Sequence, residues 1–162
     1  MNWHPLFERV LRALTNVHIT LYRLLRGRVP GKFFGTHSIL VTTMGRKSGK
    51  PRTTPLLFVP DGDSYIVVAS YGGSNKHPAW YLNMEANPHV LVEAHGTSVE
   101  THASLVHENE YESLWARLVA IYPTYASYRR ATTRRLPIVR LKPVGQFNAE
   151  AQRRGDAESP KR

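Results

Sequence analysis

Two β-rich runs that meet at Asp61-Gly62-Asp63 constrain this chain more than any other stretch. Arg52 to Val59 and Ser64 to Ser70 (SYIVVAS) are enriched in Thr, Val, Ile, Leu and Phe, and an Asp-Gly-Asp tripeptide between such runs is a strong turn signal. Arg52 to Ser70 is expected to be a hairpin, with its register left open by the sequence. Similar short runs recur at His37 to Thr43, His89 to Glu93, Gly96 to Val106 and Leu136 to Leu141. Between them, Ala79 to Ala86 reads as a short helix started by Pro78 and stopped by Asn87-Pro88, docked by Trp80, Tyr81 and Met84. Glu108 to Ile121 carries Tyr111, Leu114, Trp115, Leu118 and Val119 at helical spacing, and Pro123 restarts a short helix bearing Tyr125 and Tyr128. Short strands without regular β–helix alternation argue against a doubly wound sheet. They point to a mainly β fold: a closed or partly closed antiparallel barrel with peripheral helices.

The rest of the chain is set around that barrel. With 162 residues there is room for one domain that buries about two-thirds of its unfolded surface. His4 to Arg28 reads as a long amphipathic helix, with Leu6, Val10, Leu14, Val17, Leu21 and Leu24 at three- and four-residue intervals and arginines elsewhere. It either packs on the domain or lies on an anionic membrane surface. The tail from Asn148 is polar and aperiodic, as a disordered segment would be. The expected division is 1–32 helix, 33–147 barrel and 148–162 tail. There is no cysteine, which excludes disulfides and thiolate metal sites and is compatible with a reducing cytoplasm. No run approaches a membrane span, and the N-terminus lacks a secretory pattern.

Charge is distributed unevenly. Residues 1 to 60 carry ten Lys or Arg against one acid, whereas the remainder is nearly balanced. An anionic partner is implied: nucleic acid, anionic lipid, or a phosphorylated or polycarboxylate small molecule. The focus is VTTMGRKSGKPRTTPL, Val41 to Leu56, where Arg46, Lys47, Lys50 and Arg52 surround Ser48 and Gly49 with no nearby acid. Such a loop can offer backbone N–H groups, a hydroxyl and several cations to one phosphate or carboxylate. It can equally be a solvated basic turn.

Other chemistries find little support. Eight histidines form no H-E-x-x-H and have no carboxylate at standard ligand spacing, so no metal is expected. There is no G-x-S-x-G elbow, no G-x-G-x-x-G after a strand, and MGRKSGK is not a Walker A loop. Tyr128-Arg129-Arg130 and Arg134-Arg135 add cations, yet no nucleic-acid-binding signature accompanies them. Tyr122, Tyr125 and Tyr128, three apart, either wall a pocket for a planar substrate or pack with their hydroxyls at the surface.

TTMGRKSGKPRTTPLLFVPDGDSYIVVAS followed by GGSNKHPAWYLNMEANP resembles the deazaflavin-dependent nitroreductase family, which includes quinone reductases. The resemblance spans roughly Phe33 to Leu141. It implies a split β-barrel related to flavin-mononucleotide-binding oxidoreductases, and the 8-hydroxy-5-deazaflavin coenzyme F420 with its phosphate and oligoglutamate tail. It also implies hydride transfer from the reduced cofactor to a quinone, nitroaromatic or similar planar acceptor. The cofactor block falls on Arg46, Lys47, Ser48, Gly49, Lys50 and Arg52. A second block, Ser70, Gly72, Gly73, Lys76, His77, Pro78, Ala79, Trp80 and Asn83, falls along the cofactor's other side. The family's substrate-side tyrosines fall on Tyr122, Tyr125 and Tyr128, with Tyr125 and Tyr128 as candidate proton donors. The alternatives are a barrel that binds flavin mononucleotide, or a non-enzymatic lipid- or nucleic-acid-binding module. A cytoplasmic protein, peripheral on the inner face of the membrane through residues 4–28, is the matching location.

Overall fold

The computed structural model describes residues 15, 17, 19–25, 38–94 and 96–145. Seven strands, β1 (Ser38–Met44), β2 (Pro51–Leu57), β3 (Val59–Asp61), β4 (Ser64–Val68), β5 (His89–Ala94), β6 (Thr97–Leu105) and β7 (Ile138–Pro143), form one antiparallel sheet. Three helices accompany it: α1 (Ala79–Ala86), α2 (Glu108–Ile121) and α3 (Thr124–Ala131). The strand order is β2-β1-β5-β6-β7-β4-β3. Its two outermost strands, β2 and β3, are separated in sequence only by Phe58. One residue spans a few ångströms, so the two edges must come together and the sheet must curl. The chain itself, rather than a further ladder of hydrogen bonds, joins the edges. This is the mainly β, split-barrel architecture that the sequence implies.

The expected hairpin from Arg52 to Ser70 needs correction. Only β3 and β4 pair across Asp61 to Ser64. β2 turns away at Phe58 and pairs with β1, Thr42 opposite Thr53 and Met44 opposite Pro51, which makes the basic loop the tip of a β1–β2 hairpin. Phe58 is 5% exposed and packs edge-on against Tyr65, so the run Arg52–Val59 bends where its aromatic residue enters the core.

Two apolar layers hold the fold. Ile39, Val41, Val67, Val92, Val139 and Leu141 share one face of the sheet with Trp80, Tyr81 and Met84 of α1. Ile66, Val68 and Ile138 face the other way, against Tyr111, Leu114, Trp115 and Leu118 of α2 and Tyr125 of α3. β4 is thus buried on both faces, which explains the unbroken apolar run in SYIVVAS. The α2–α3 pair is fastened by a ladder of rings and cations. Arg135 lies 3.7 Å over Tyr111, Tyr111 stacks parallel to Trp115, and Arg129 lies 5.1 Å over Trp115.

Of the helix expected over His4–Arg28, Thr15, Val17 and residues 19–24 are described, and they are helical. Ile19 and Tyr22 pack on Leu40, and the Tyr22 hydroxyl reaches the carbonyls of Ser38 and Glu93. Arg23 grips the Glu93 carboxylate with two hydrogen bonds. The other residues of that segment, and the tail from Asn148, lie outside the described residues.

Candidate active site

A cleft of about 960 Å³ opens over the β1–β2 tip, lined by Arg46, Lys47, Ser48 and Arg52, by Ala79, Trp80 and Asn83 of α1, and by Thr15, Ile19 and Arg23. A second cleft of about 610 Å³ is lined by Leu56, Leu57, Val68, Ser70, Gly72, Lys76, His77, Pro78, Leu82 and the three tyrosines. Arg46, Thr54, Ala79 and Trp80 line both, so the two run together as one groove with a basic half and a mostly apolar half.

The basic half is built at the hairpin tip. Gly49 has φ +61°, the left-handed conformation that the turn requires and glycine adopts without strain. A Cβ on Gly45 would meet Ser48 Oγ at 2.8 Å and the Lys50 carbonyl at 3.0 Å, which fixes glycine there as well. The loop's backbone is largely spent on itself. The N–H groups of Ser48 and Gly49 donate to the Gly45 carbonyl, that of Gly45 to the Lys50 carbonyl, and that of Lys50 to Ser48 Oγ. The Arg46 N–H donates to Asn83 Oδ1. What the loop offers an anion is therefore its side chains rather than a row of amides. Among the described residues, Lys47, Lys50, Arg52 and Lys76 enter no ion pair, unlike Arg23, Arg117, Arg129, Arg135 and Arg140, which all do. Cations left uncompensated beside a cleft suit a ligand with several negative charges.

Asn83 is the pin of this half. It is 4% exposed; its Oδ1 accepts from the Arg46 backbone and guanidinium, and its Nδ2 donates to Thr43 Oγ1, itself 1% exposed. One buried amide thus ties α1 to the loop. Thr43 gave no sign of this role in the sequence, because a threonine in a strand is ordinary.

The other half gathers distant segments. Tyr71, Gly72 and Gly73, all with positive φ, form a tight 3-10 turn whose Tyr71 and Gly72 face the groove. Gly73 lines neither half. A Cβ there would meet the Tyr128 carbonyl and Ala131 Cβ at 3.0 Å each, so this glycine lets the turn press against α3. Gly49 and Lys50 likewise stand off the groove wall.

The tyrosines do converge. Tyr122 sits at the α2–α3 junction, 5.1 Å ring to ring from Tyr125, and Tyr125 is 6.2 Å from Tyr128, both pairs edge-on. Tyr125 is buried in the core, while Tyr122 and Tyr128 are half-buried. Burial holds the Tyr125 phenol well above the ordinary tyrosine range. Burial, and then a hydrogen bond with Tyr122, raises Tyr128 as well. Both are neutral phenols at neutral pH, able to donate a hydrogen bond. His77 stacks on Tyr81 at 4.9 Å, and Tyr81 is pushed up to about 12 by burial and by its bond to Glu85.

Of the further cations Arg129, Arg130, Arg134 and Arg135, three are engaged within the fold. Arg129 pairs with Glu112, Arg135 with Glu108, and Arg134 turns inward to backbone carbonyls of residues 69–74. Arg134 was legible in the sequence only as one more cation.

Comparisons with known proteins place the chain in a family. The F420H(2)-dependent quinone reductase family matches residues 14–143. An F420H(2)-dependent quinone reductase of Mycobacterium tuberculosis is 36% identical over 132 residues, 79% of this chain and 89% of that protein. A solved F420-H2 dependent reductase, FDR-A, is 40% identical with a TM-score of 0.60, covering 65% of this chain and 93% of its own. A solved domain-swapped dimer is 35% identical with a TM-score of 0.62, covering 78% of this chain and 96% of its own. The chain belongs to the F420H(2)-dependent quinone reductase family.

Proposed function

We infer that the two-part groove is the site where this chain carries out hydride transfer from reduced F420 to a quinone-like acceptor, the activity that its family membership gives it. One observation carries the reading: uncompensated cations and a tyrosine-walled apolar space line a single continuous groove. F420 carries a phosphate and several carboxylates at one end and a planar ring at the other, and the groove has a matching half for each.

The residues divide the work accordingly. Lys47 and Arg52 are the leading ligands for the phosphate or glutamate tail, with Arg46 held for the same purpose by Asn83 and with Lys50 and Lys76 adding long-range attraction. Ser48 supplies a hydroxyl beside them. Ser70, Gly72, His77, Pro78, Ala79 and Trp80 form the wall for the ring, Gly73 shapes the turn behind it, and Gly49 shapes the tip of the basic loop. Bound there, the reduced deazaflavin supplies a hydride, and no nucleophile or metal is required of the protein. The chain's part is to hold an acceptor against the ring, exclude water, and provide a proton to the acceptor oxygen. Tyr128, half-buried, is the leading donor, with Tyr125 behind it and Tyr122 bonded to Tyr128.

A peripheral membrane site, cytoplasmic and on the inner face, fits an acceptor that dissolves in lipid. Ile19 and Tyr22 dock the N-terminal segment, leaving Val17, Leu21, Leu24 and Leu25 outward, Leu24 at 73% exposure. These positions follow helical spacing along one face and offer an apolar strip to an anionic surface. No described helix is long and apolar enough to cross a membrane. Leu21→Glu with Leu24→Glu is expected to abolish co-sedimentation with anionic vesicles; retained binding contradicts the surface role.

Titration decides the site reading. Quenching of intrinsic Trp fluorescence by F420, with Trp80 on the wall of both halves, is expected to saturate and to be insensitive to excess flavin mononucleotide. Displacement of F420 by flavin mononucleotide, or quenching that survives replacement of Trp80, contradicts it.

A further inference from the structure

Arg134 makes more polar contacts inside the fold than a surface cation has reason to make. Its Nε donates to the Ser74 carbonyl at 2.8 Å, and one terminal nitrogen donates to the carbonyls of Ala69 and Ser70, each at 3.0 Å. The other terminal nitrogen lies 3.5 Å from His77 Nδ1. These acceptors bracket the Tyr71–Gly73 turn, whose three residues all have positive φ, 48° at Tyr71, 63° at Gly72 and 79° at Gly73. A non-glycine residue in that region is strained and persists only where its surroundings hold it. The turn's own bonds are two, Gly73 N–H to Ser70 O and Ser74 N–H to Tyr71 O. Asn75 adds an anchor, its Oδ1 accepting from Thr132 Oγ1 and the Thr133 N–H.

We propose that Arg134 is a positioning residue for the apolar half of the groove: its guanidinium gathers segment 69–77 into the wall and selects the Nε2–H tautomer of His77. The second effect follows from the donor inventory. Arginine has no acceptor, so a contact with Nδ1 requires that nitrogen to keep its lone pair, and the neutral ring must carry its proton on Nε2. His77 lines the groove, so the fixed tautomer presents a ring with a single donor to whatever binds there. Lysine is a poor substitute, because a single ammonium cannot span carbonyls that a planar fork reaches together.

The proposal rests on the groove being the active site, and its test keeps the two apart. Side-chain 15N spectra of histidine-labelled wild-type protein, with His77→Gln for assignment, should show His77 as the Nε2–H tautomer. In Arg134→Met the ring should exchange between its two tautomers. Arg134→Lys, which keeps the charge and serves if the Met variant does not fold, should lose at least tenfold in kcat for a quinone per folded molecule, with F420 affinity within threefold. An Nδ1–H tautomer in the wild type, or an Arg134→Lys kcat within threefold of wild type, overturns the proposal. A wild-type protein that binds F420 but reduces no quinone overturns the site reading instead, and the spectra still decide the role of Arg134.

Discussion

The two halves of the groove are made in opposite ways. The uncompensated cations that line the basic half come from one hairpin tip, Arg46 to Arg52, which a single buried amide pins to α1. The apolar half is assembled from β2, the 69–82 segment and the α2–α3 junction, and depends on contacts between residues some sixty apart in sequence, such as Arg134 with Ser70. The first offers charge that its own backbone hydrogen bonds do not use. The second offers a shape that exists only when the fold is complete. An error of ~1 Å hardly matters to long-range attraction by flexible lysines, but it matters greatly where a ring and an acceptor must meet. Affinity should therefore be the business of one half and turnover that of the other.

The assembled half should be the easier to break. Gly73→Ala places a Cβ against the Tyr128 backbone at a left-handed φ, and is expected to cost about 3 kcal/mol of stability and nearly all turnover. Gly72→Ala, with the same sign of φ but open space around it, should cost only about 1 kcal/mol. Thermal melts and quinone assays on the pair separate packing from backbone strain. In the basic half, Lys47→Ala combined with Arg52→Ala should raise the F420 concentration for half-saturation about 30-fold, roughly 2 kcal/mol, and leave kcat at saturation within twofold. A fall in kcat would dissolve the distinction between the halves.

Tyr128→Phe should do the reverse, lowering kcat about tenfold with F420 affinity unchanged. Because burial raises the Tyr128 phenol, its donor proton is retained up to and beyond the ordinary tyrosine value near ~10, so activity should persist through that pH in the wild type. The smallest effect belongs to a site outside both halves. Asp61 is held below the usual carboxylate range chiefly by its hydrogen bond to Arg117, with a further one to Arg140. Its contribution is present above the unfolded value and is lost as pH falls through the lowered folded one. Asp61→Asn should lower stability near neutral pH by about 1 kcal/mol or less after solvent screening, and turnover not at all.

The same contrast explains what could be read in advance. The basic loop was legible because its signal is local: glycines, cations and no acid within one stretch. Helices α1 and α2 were legible from periodicity and proline. The bend at Phe58 was not, since a run from Arg52 to Val59 looks continuous until β2 finds β1 as its partner. Tyr122, Tyr125 and Tyr128 showed their spacing but not their burial, which depends on Trp115 and the α2–α3 turn. Arg134 and Thr43 stayed hidden because an inward arginine and a strand threonine look like any others until the carbonyls and the amide they serve are in place.

The central claim is that charge and ring are held by separate halves of one groove, and a paired titration tests it most directly. F420 and the bare deazaflavin lacking phosphate and glutamates would each be titrated into the wild type and into the Lys47→Ala/Arg52→Ala protein. The account predicts about a 30-fold loss of affinity for F420 and less than a twofold change for the bare ring. An equal loss for both ligands, or no loss for either, would contradict it.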